Sequence, residues 1–260
     1  MSTHPFSKIF LFLCLFGGFT TLGFAQQNAQ ALFDDANEML REGNYQQAIS
    51  SYQKLEDQNT VSGALFLNMG IGYQRIDSLG VAKYYFLKAS RFEETEQPAQ
   101  KALKFVESQF SRQSAVLPKL PWDIATSWLQ DHIGAKNLLL MGIITLNIGV
   151  FIFIANWFLQ TYPKILRIGG LSLIVAALLI ITSSFYTQYI SERYSKAVMV
   201  AEKVSVLEEP TGEASVVSRA YEGYTFTVDH RRSKLQPEWA YVRMSNGLYG
   251  WIPNSEILIL

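Results

Sequence analysis

The run GNYQQAISSYQKL, residues 43–55, and the run MGIGYQRIDSLGVAKYYFLKA, residues 69–89, decide how the first half of the chain folds. Sliding one onto the other by 34 residues pairs Ala36 with Gly70, Ala48 with Ala82, Tyr52 with Phe86 and Leu55 with Ala89. Recurrence at one offset of some tens of residues marks a stacked repeat, a unit that cannot bury its apolar face alone. The unit expected is a pair of antiparallel helices. Small residues let two helix axes approach, and Tyr52, Phe86, Tyr45 and Tyr73 fill the space beside them. Carrying the phase on by a further 34 places residues 98–110 where a third first helix belongs, with Lys104 at the small-residue position. A long cation there suits a solvated capping helix, which a short array needs at its end. Lys83, beside Ala82, is expected to face solvent.

Composition bounds the rest. Of 260 residues, 49% are hydrophobic and only 17% charged, with 22 basic and 22 acidic side chains in balance. That is too little charge for a disordered chain and no basic surplus for a nucleic-acid binder. Mean hydropathy is +0.10, high for a soluble protein, and the excess sits in three blocks. Ile9 to Ala25 is uncharged and ends in Gly23, Phe24 and Ala25 before two glutamines, which reads as a signal peptide over residues 1–25. An uncleaved anchor is the alternative. The single cysteine, Cys14, lies inside this block, so disulfides, thiolate metal sites and cysteine catalysis fall away together. Leu13 before it does not suit a lipoprotein signal.

Leu138 to Leu159 carries no charge over 22 residues and Ile168 to Tyr186 none over 19. As helices these reach about 33 and 28 Å, enough to cross a bilayer core. Spans at 138–159 and 168–189, joined by residues 160–167, make a hairpin with both ends on one side. Lys164 and Arg167 mark the connection as cytoplasmic, and an export signal at the N-terminus demands the same orientation. Asn147 and Asn156 are expected to hydrogen-bond across to the neighbouring helix, and Gly169, Gly170, Ala176 and Ala177 to permit close helix packing. The linker 111–136 starts with Ser111, Ser114, Pro118 and Pro121. It then shows Trp122, Ala125, Trp128, Leu129 and Ile133 at helical spacing, a juxtamembrane helix.

After Tyr189 the period becomes that of strands: VMVAEKVSVL (198–207), YTFTVDH (224–230), WAYVRM (239–244) and LYGWI (248–252), with Asn246 and Gly247 as a hairpin turn. Four or five short strands in residues 195–260 are expected to form a small barrel.

The period and pattern of residues 27–110 resemble the tetratricopeptide repeat, with Asp77 where that family has a turn glycine and Thr60 in place of its terminal proline. The resemblance implies a concave groove that binds peptides. One version of the family clamps a C-terminal carboxylate with cations and asparagines. The corresponding places here are Phe33, Asn37, Asn68, Pro98 and Ala102, so both asparagines match, every cation is missing, and carboxylate-tail binding is not expected. Groove positions Phe33, Asn37, Leu40, Leu67, Asn68, Ile71 and Arg75 suit an apolar or amphipathic partner helix.

The strand order resembles the bacterial SH3-like domain, in which VSV precedes a proline loop (Glu208, Glu209, Pro210, Thr211, Gly212) and Trp239, Tyr241, Val242 and Arg243 lead to Gly250, Trp251 and Ile252. Leu207 and Glu208 stand where that family has Arg-Ser. Trp239, Tyr241 and Tyr249 are the candidate surface for cell-wall peptide or a proline-rich sequence. Trp251 is expected inside the barrel. Arg231, Arg232 and Lys234 read as a solvated basic turn.

The fold class expected is thus a multidomain membrane protein: an all-α tetratricopeptide solenoid, a two-helix transmembrane hairpin and a small all-β SH3-like barrel. His132 and His230, without a metal-spaced cluster, do not make an enzyme, and no cofactor is expected. The order of parts resembles the BatE family of Bacteroidetes aerotolerance operons. That resemblance implies an inner-membrane scaffold with both soluble parts in the periplasm, working beside von Willebrand factor A domain proteins and a MoxR-type ATPase. The alternative is an envelope sensor or cell-wall-binding module using the SH3-like part.

Overall fold

The computed structural model describes residues 28–112, 116–118, 121–158 and 163–260. The expected signal peptide lies outside them. Helix α1 spans 28–41, followed by α2 (Tyr45–Asp57), α3 (Gly63–Arg75), α4 (Leu79–Ala89), a 3-10 turn (Glu93–Thr95) and α5 (Glu96–Gln109). Ser62 starts α3 by accepting the Leu65 N–H at 3.1 Å, a capping bond that satisfies one of the otherwise orphaned donors of a first turn.

All four residue pairs related by the 34-residue offset are buried, seven of the eight side chains at 1% exposure or less and the eighth a glycine. The reason for a small residue is visible at Gly70, where a β-carbon would stand 2.5 Å from the Phe86 ring. The offset also appears in the backbone. Gly43 turns from α1 into α2 with φ +85°, and Asp77, 34 residues on, turns from α3 into α4 with φ +62°. A left-handed conformation is free for glycine and costs an L-residue about 1 kcal/mol. Asp77→Gly should therefore raise stability by about that amount, read as a higher melting temperature of the detergent-solubilised chain; a fall would show that the Asp77 side chain earns its place by a contact.

Lys104 is exposed, as a capping helix requires, but Lys83 is not. The expectation that Lys83 faces solvent is overturned: it is 7% exposed, because the C-terminal sheet packs on the face of α4 that carries it.

Helix α6 (Pro121–His132) leads to α7 (Ala135–Phe158) and α8 (Pro163–Arg193). The last two are long and apolar enough to cross a membrane, with mean hydropathies of 2.6 and 2.4 in their most apolar windows. Most of their apolar side chains are uncovered by the rest of the chain, Phe151 at 73% and Trp157 at 84% exposure among them, unlike the core helices of a soluble domain. The pair packs antiparallel along a seam of small residues. A β-carbon at Gly142 would meet the Ile181 side chain at 2.6 Å, one at Gly149 the Ile174 nitrogen at 3.0 Å, and one at Gly170 the Phe153 nitrogen at 3.0 Å. Ala177 is fully buried, whereas Gly169 has nothing within 4 Å of where its β-carbon would stand, so of the glycine pair only Gly170 lies on the seam.

Three sequence expectations change here. Lys164 and Arg167 lie in the first turns of α8 and not in a loop, since Pro163, with its preset φ, is well suited to begin a helix. Asn147 turns back to its own helix, donating to the Ile143 carbonyl at 2.8 Å, and so does not bridge to α8. Asn156 Oδ1 is buried without a hydrogen-bond partner among the described residues.

The C-terminal part is an antiparallel sheet of seven strands among the described residues: β1 (Tyr194–Met199), β2 (Lys203–Leu207), β3 (Val216–Tyr221), β4 (Thr225–Asp229), β5 (Trp239–Met244), β6 (Tyr249–Pro253) and β7 (Ile257–Ile259), in the order β3-β2-β6-β5-β4-β1-β7. The run read as one strand from Val198 divides at residues 200–202 into β1 and β2. Strands β3 and β7 add to the number expected. The turn at Asn246 and Gly247 joins β5 to β6, with Gly247 at φ +87° and its N–H bonded to the Met244 carbonyl at 2.9 Å. Met199, Val206, Phe226, Val228, Val242, Met244 and Ile252 fill the core. Alternation along β6 buries Gly250 and Ile252 and turns Trp251 to the opposite face. The expectation that Trp251 fills the interior is corrected for that reason: side chains two apart share a face, and the interior already takes Ile252.

Candidate docking surfaces

The groove residues come from α1 and α3, and the structure brings the two asparagines together. Asn37 Oδ1 accepts from Asn68 Nδ2 and from Tyr52 Oη, both at 2.7 Å. Burial pushes the Tyr52 phenol up to about 12, so it stays a donor at physiological pH. These amides therefore tie α1 directly to α3, and the Tyr52 hydroxyl adds α2 to the same oxygen. Phe33 is half-buried with its ring 5.9 Å from that of Tyr52. Leu40 and Leu67 pack partly buried against the first helical cluster, and Leu67 and Ile71 against the second. Arg75 alone of the seven is exposed. What remains open to a partner is the outer side of Phe33, the neighbouring aliphatic edges and Arg75.

On the sheet, Trp239 and Tyr241 alternate outward from β5 and Tyr249 and Trp251 from β6. The Tyr241 ring stands 5.1 Å from Trp251 in a T-shaped contact and 6.1 Å from Tyr249. Arg232 lies over Tyr241 at 4.5 Å and Arg243 over Tyr249 at 5.7 Å. By strand alternation all three candidate residues lie on one outward face of the sheet, and Trp251 belongs to it.

A third surface was not legible in the sequence. The first turn of α4 abuts the ends of β1 and the β3–β4 turn. Glu222 Oε1 accepts the Gly80 N–H at 2.6 Å, supplying from the sheet the N-terminal cap that Ser78 does not give. Lys83 Nζ donates to the Gly223 carbonyl at 2.9 Å and pairs with Glu107 at 3.0 Å. Gly223 has φ +80°, and the Phe110 ring sits where its β-carbon would be. Arg112 lies over the Tyr221 ring at 4.5 Å and bonds its hydroxyl at 3.1 Å, while the Leu117 N–H bonds the Ser245 carbonyl at 2.9 Å. Helices and sheet are clasped although more than a hundred residues separate them, so no local pattern could have announced it.

Within the helices, Glu56 on α2 accepts from Tyr85 at 3.0 Å and pairs with Lys88 of α4. Lys88 stands 4.0 Å above the Phe66 ring. Burial, and then the charge of Glu56, push the Tyr85 phenol well up. This cluster braces α2, α3 and α4.

Compared with known proteins, the chain matches no family model and no curated sequence.

Proposed function

We propose that the chain is a membrane-anchored interaction scaffold of the cell envelope. On this reading its helices form a short tetratricopeptide solenoid, its sheet an SH3-like barrel, and α7 with α8 a transmembrane hairpin that holds both outside the cytoplasm. The observation that carries it is the clasp of α4 on the β3–β4 turn: two soluble parts joined by Lys83 to Gly223 and Gly80 to Glu222 must share one side of any membrane that α7 and α8 cross. The sequence resemblance to the aerotolerance-operon family extends the reading to partners of the von Willebrand factor A domain class and a MoxR-type ATPase in the inner membrane. The sensor reading, with the barrel holding a cell-wall peptide, is favoured only by the aromatic surface of Tyr241, Tyr249 and Trp251.

Reporter fusions after Ser111 and after Leu260 should both behave as periplasmic. Cytoplasmic activity at either place removes the hairpin. For docking, recovery of membrane partners by the detergent-solubilised chain should fall at least tenfold in Phe33→Asp with Arg75→Glu, with helical circular dichroism retained. Leu67 is left intact because it packs against both helical clusters, and a carboxylate there would cost several kcal/mol of stability. Undiminished recovery would move the docking site to the aromatic surface of the sheet, and enrichment of muropeptide instead of membrane proteins would favour the sensor.

A further inference from the structure

Helix α8 passes into β1 with no residue between them: Arg193 closes the helix and Tyr194 opens the strand. Arg193 is held from several sides. It donates to Asp229 Oδ2 through Nε at 3.2 Å and Nη2 at 2.8 Å, donates to the Tyr189 hydroxyl, and lies 5.0 Å from the centre of the Tyr194 ring. Asp229 Oδ1 also accepts the backbone N–H groups of Arg231 at 3.0 Å and Arg232 at 3.3 Å, which starts the short helix α9 (His230–Ser233). One carboxylate thus fixes the sheet to the end of α8 and places α9 against that end.

The level of this junction follows from α8 itself. Its apolar stretch closes with Tyr186 and Tyr189, half-exposed at 50% and 46%, residues of the kind that settle at a membrane boundary. Arg193 is four residues beyond Tyr189, about 6 Å along the axis, and a headgroup layer is roughly 5 to 8 Å deep. At that level the chain presents Arg231, Arg232 and Lys234, all exposed, and Leu235 at 79% exposure. None of the three cations is in an ion pair among the described residues, and Glu238 is the single acid in residues 230–238.

We infer that residues 231–235 are a membrane-surface contact that binds anionic phospholipid headgroups, Arg231 and Lys234 meeting phosphates, Arg232 remaining over Tyr241, and Leu235 entering the acyl boundary. The inference rests on the reading that α7 and α8 cross a bilayer. It replaces the solvated turn of the sequence reading, because the carboxylate beside the turn, Asp229, is taken by Arg193, which leaves lipid phosphate as the counter-charge for a basic turn held at headgroup depth. The contact would also keep the sheet, and the helices clasped to its far end, in one orientation over the membrane.

The test uses the full chain with Cys14→Ser in nanodiscs of phosphatidylcholine, with or without phosphatidylglycerol. A fluorophore on Leu235→Cys should be quenched by headgroup-spin-labelled lipid several-fold more than one on Asp57→Cys in α2. Phosphatidylglycerol should be enriched among lipids that stay with the protein. Arg231→Glu with Lys234→Glu should reduce that enrichment by about fivefold or more, since each cation near an anionic surface contributes roughly a fivefold factor. Equal quenching at residues 235 and 57, or enrichment unchanged in the charge-reversed chain, overturns the contact. A chain that fails to co-elute with nanodiscs overturns the membrane reading and this inference together, which separates the two failures.

Discussion

Replacing Gly80 by alanine should part the helices from the sheet. In an isolated helix the same change stabilises by up to about 1 kcal/mol, because alanine is the better helix former. Here the added carbon would stand 2.6 Å from the Met199 carbonyl oxygen and 3.0 Å from the Val200 Cα. Both are backbone atoms and cannot rotate away, so α4 must lift, and the 2.6 Å bond from the Gly80 N–H to Glu222 goes with it. The conflict costs about 1 to 3 kcal/mol and outweighs the helical gain. Lys83→Leu should act in the same direction by about 1 to 3 kcal/mol, since it leaves the buried Gly223 carbonyl without its donor. Trypsin cleavage after Arg112, which lies on Tyr221 when the clasp is closed, reports the opening. Local opening governs proteolysis when closing is fast, so the rate should rise about fivefold to a hundredfold in either variant and stay unchanged in Lys54→Leu, whose side chain is exposed on α2. Parent-like cleavage in both clasp variants would show that the two parts are not held together by this contact.

Gly70→Ala and Ala82→Leu should each lower the stability of the helical part by about 1 to 3 kcal/mol through overpacking. The Phe86 ring, which a β-carbon at Gly70 would meet at 2.5 Å, is fully buried and has no space to yield. Ala82 is likewise fully enclosed, in the cluster of Phe86 and Val106. Thermal unfolding of the detergent-solubilised chain, followed at the helical circular dichroism band, measures the effect against Lys54→Leu as control. Melting temperatures matching the control would mean that the 34-residue register does not describe the packing.

How much of this was readable in advance differs from one part to the next. The helical repeat was readable because its signal is redundant: two copies of small and aromatic residues at one offset report the same crossing twice, and in the structure both copies are buried. The hairpin turn at Asn246 and Gly247 was readable because a positive φ of +87° at Gly247 is a local demand that glycine meets best. Strands β3 and β7 were missed. Val216 and Val217 are exposed on β3, and β7 has only three residues, so neither carries a clear alternation. At the candidate sites, the asparagines of the groove were identified by position, yet their mutual hydrogen bond turns them into braces. Only Arg75 remained as open as its place in the pattern implied.

By itself the sequence determined where the apolar segments lie, that two of them are long enough to cross a membrane, that the first soluble part is helical and repeated, and that the last is made of strands. These are properties of residues near one another along the chain, carried by hydrophobic period and turn chemistry. Tertiary structure alone decided that Lys83 is buried, that Trp251 faces outward, and that Glu222 caps a helix 142 residues away. It also set Arg193 on Asp229 at the junction of α8 with the sheet. The physical reason is that burial of a charge or an aromatic ring depends on which surface arrives opposite it. Residues 80 and 222, or 83 and 223, have no sequence relation until the fold puts a backbone donor before a carboxylate and an ammonium before a carbonyl.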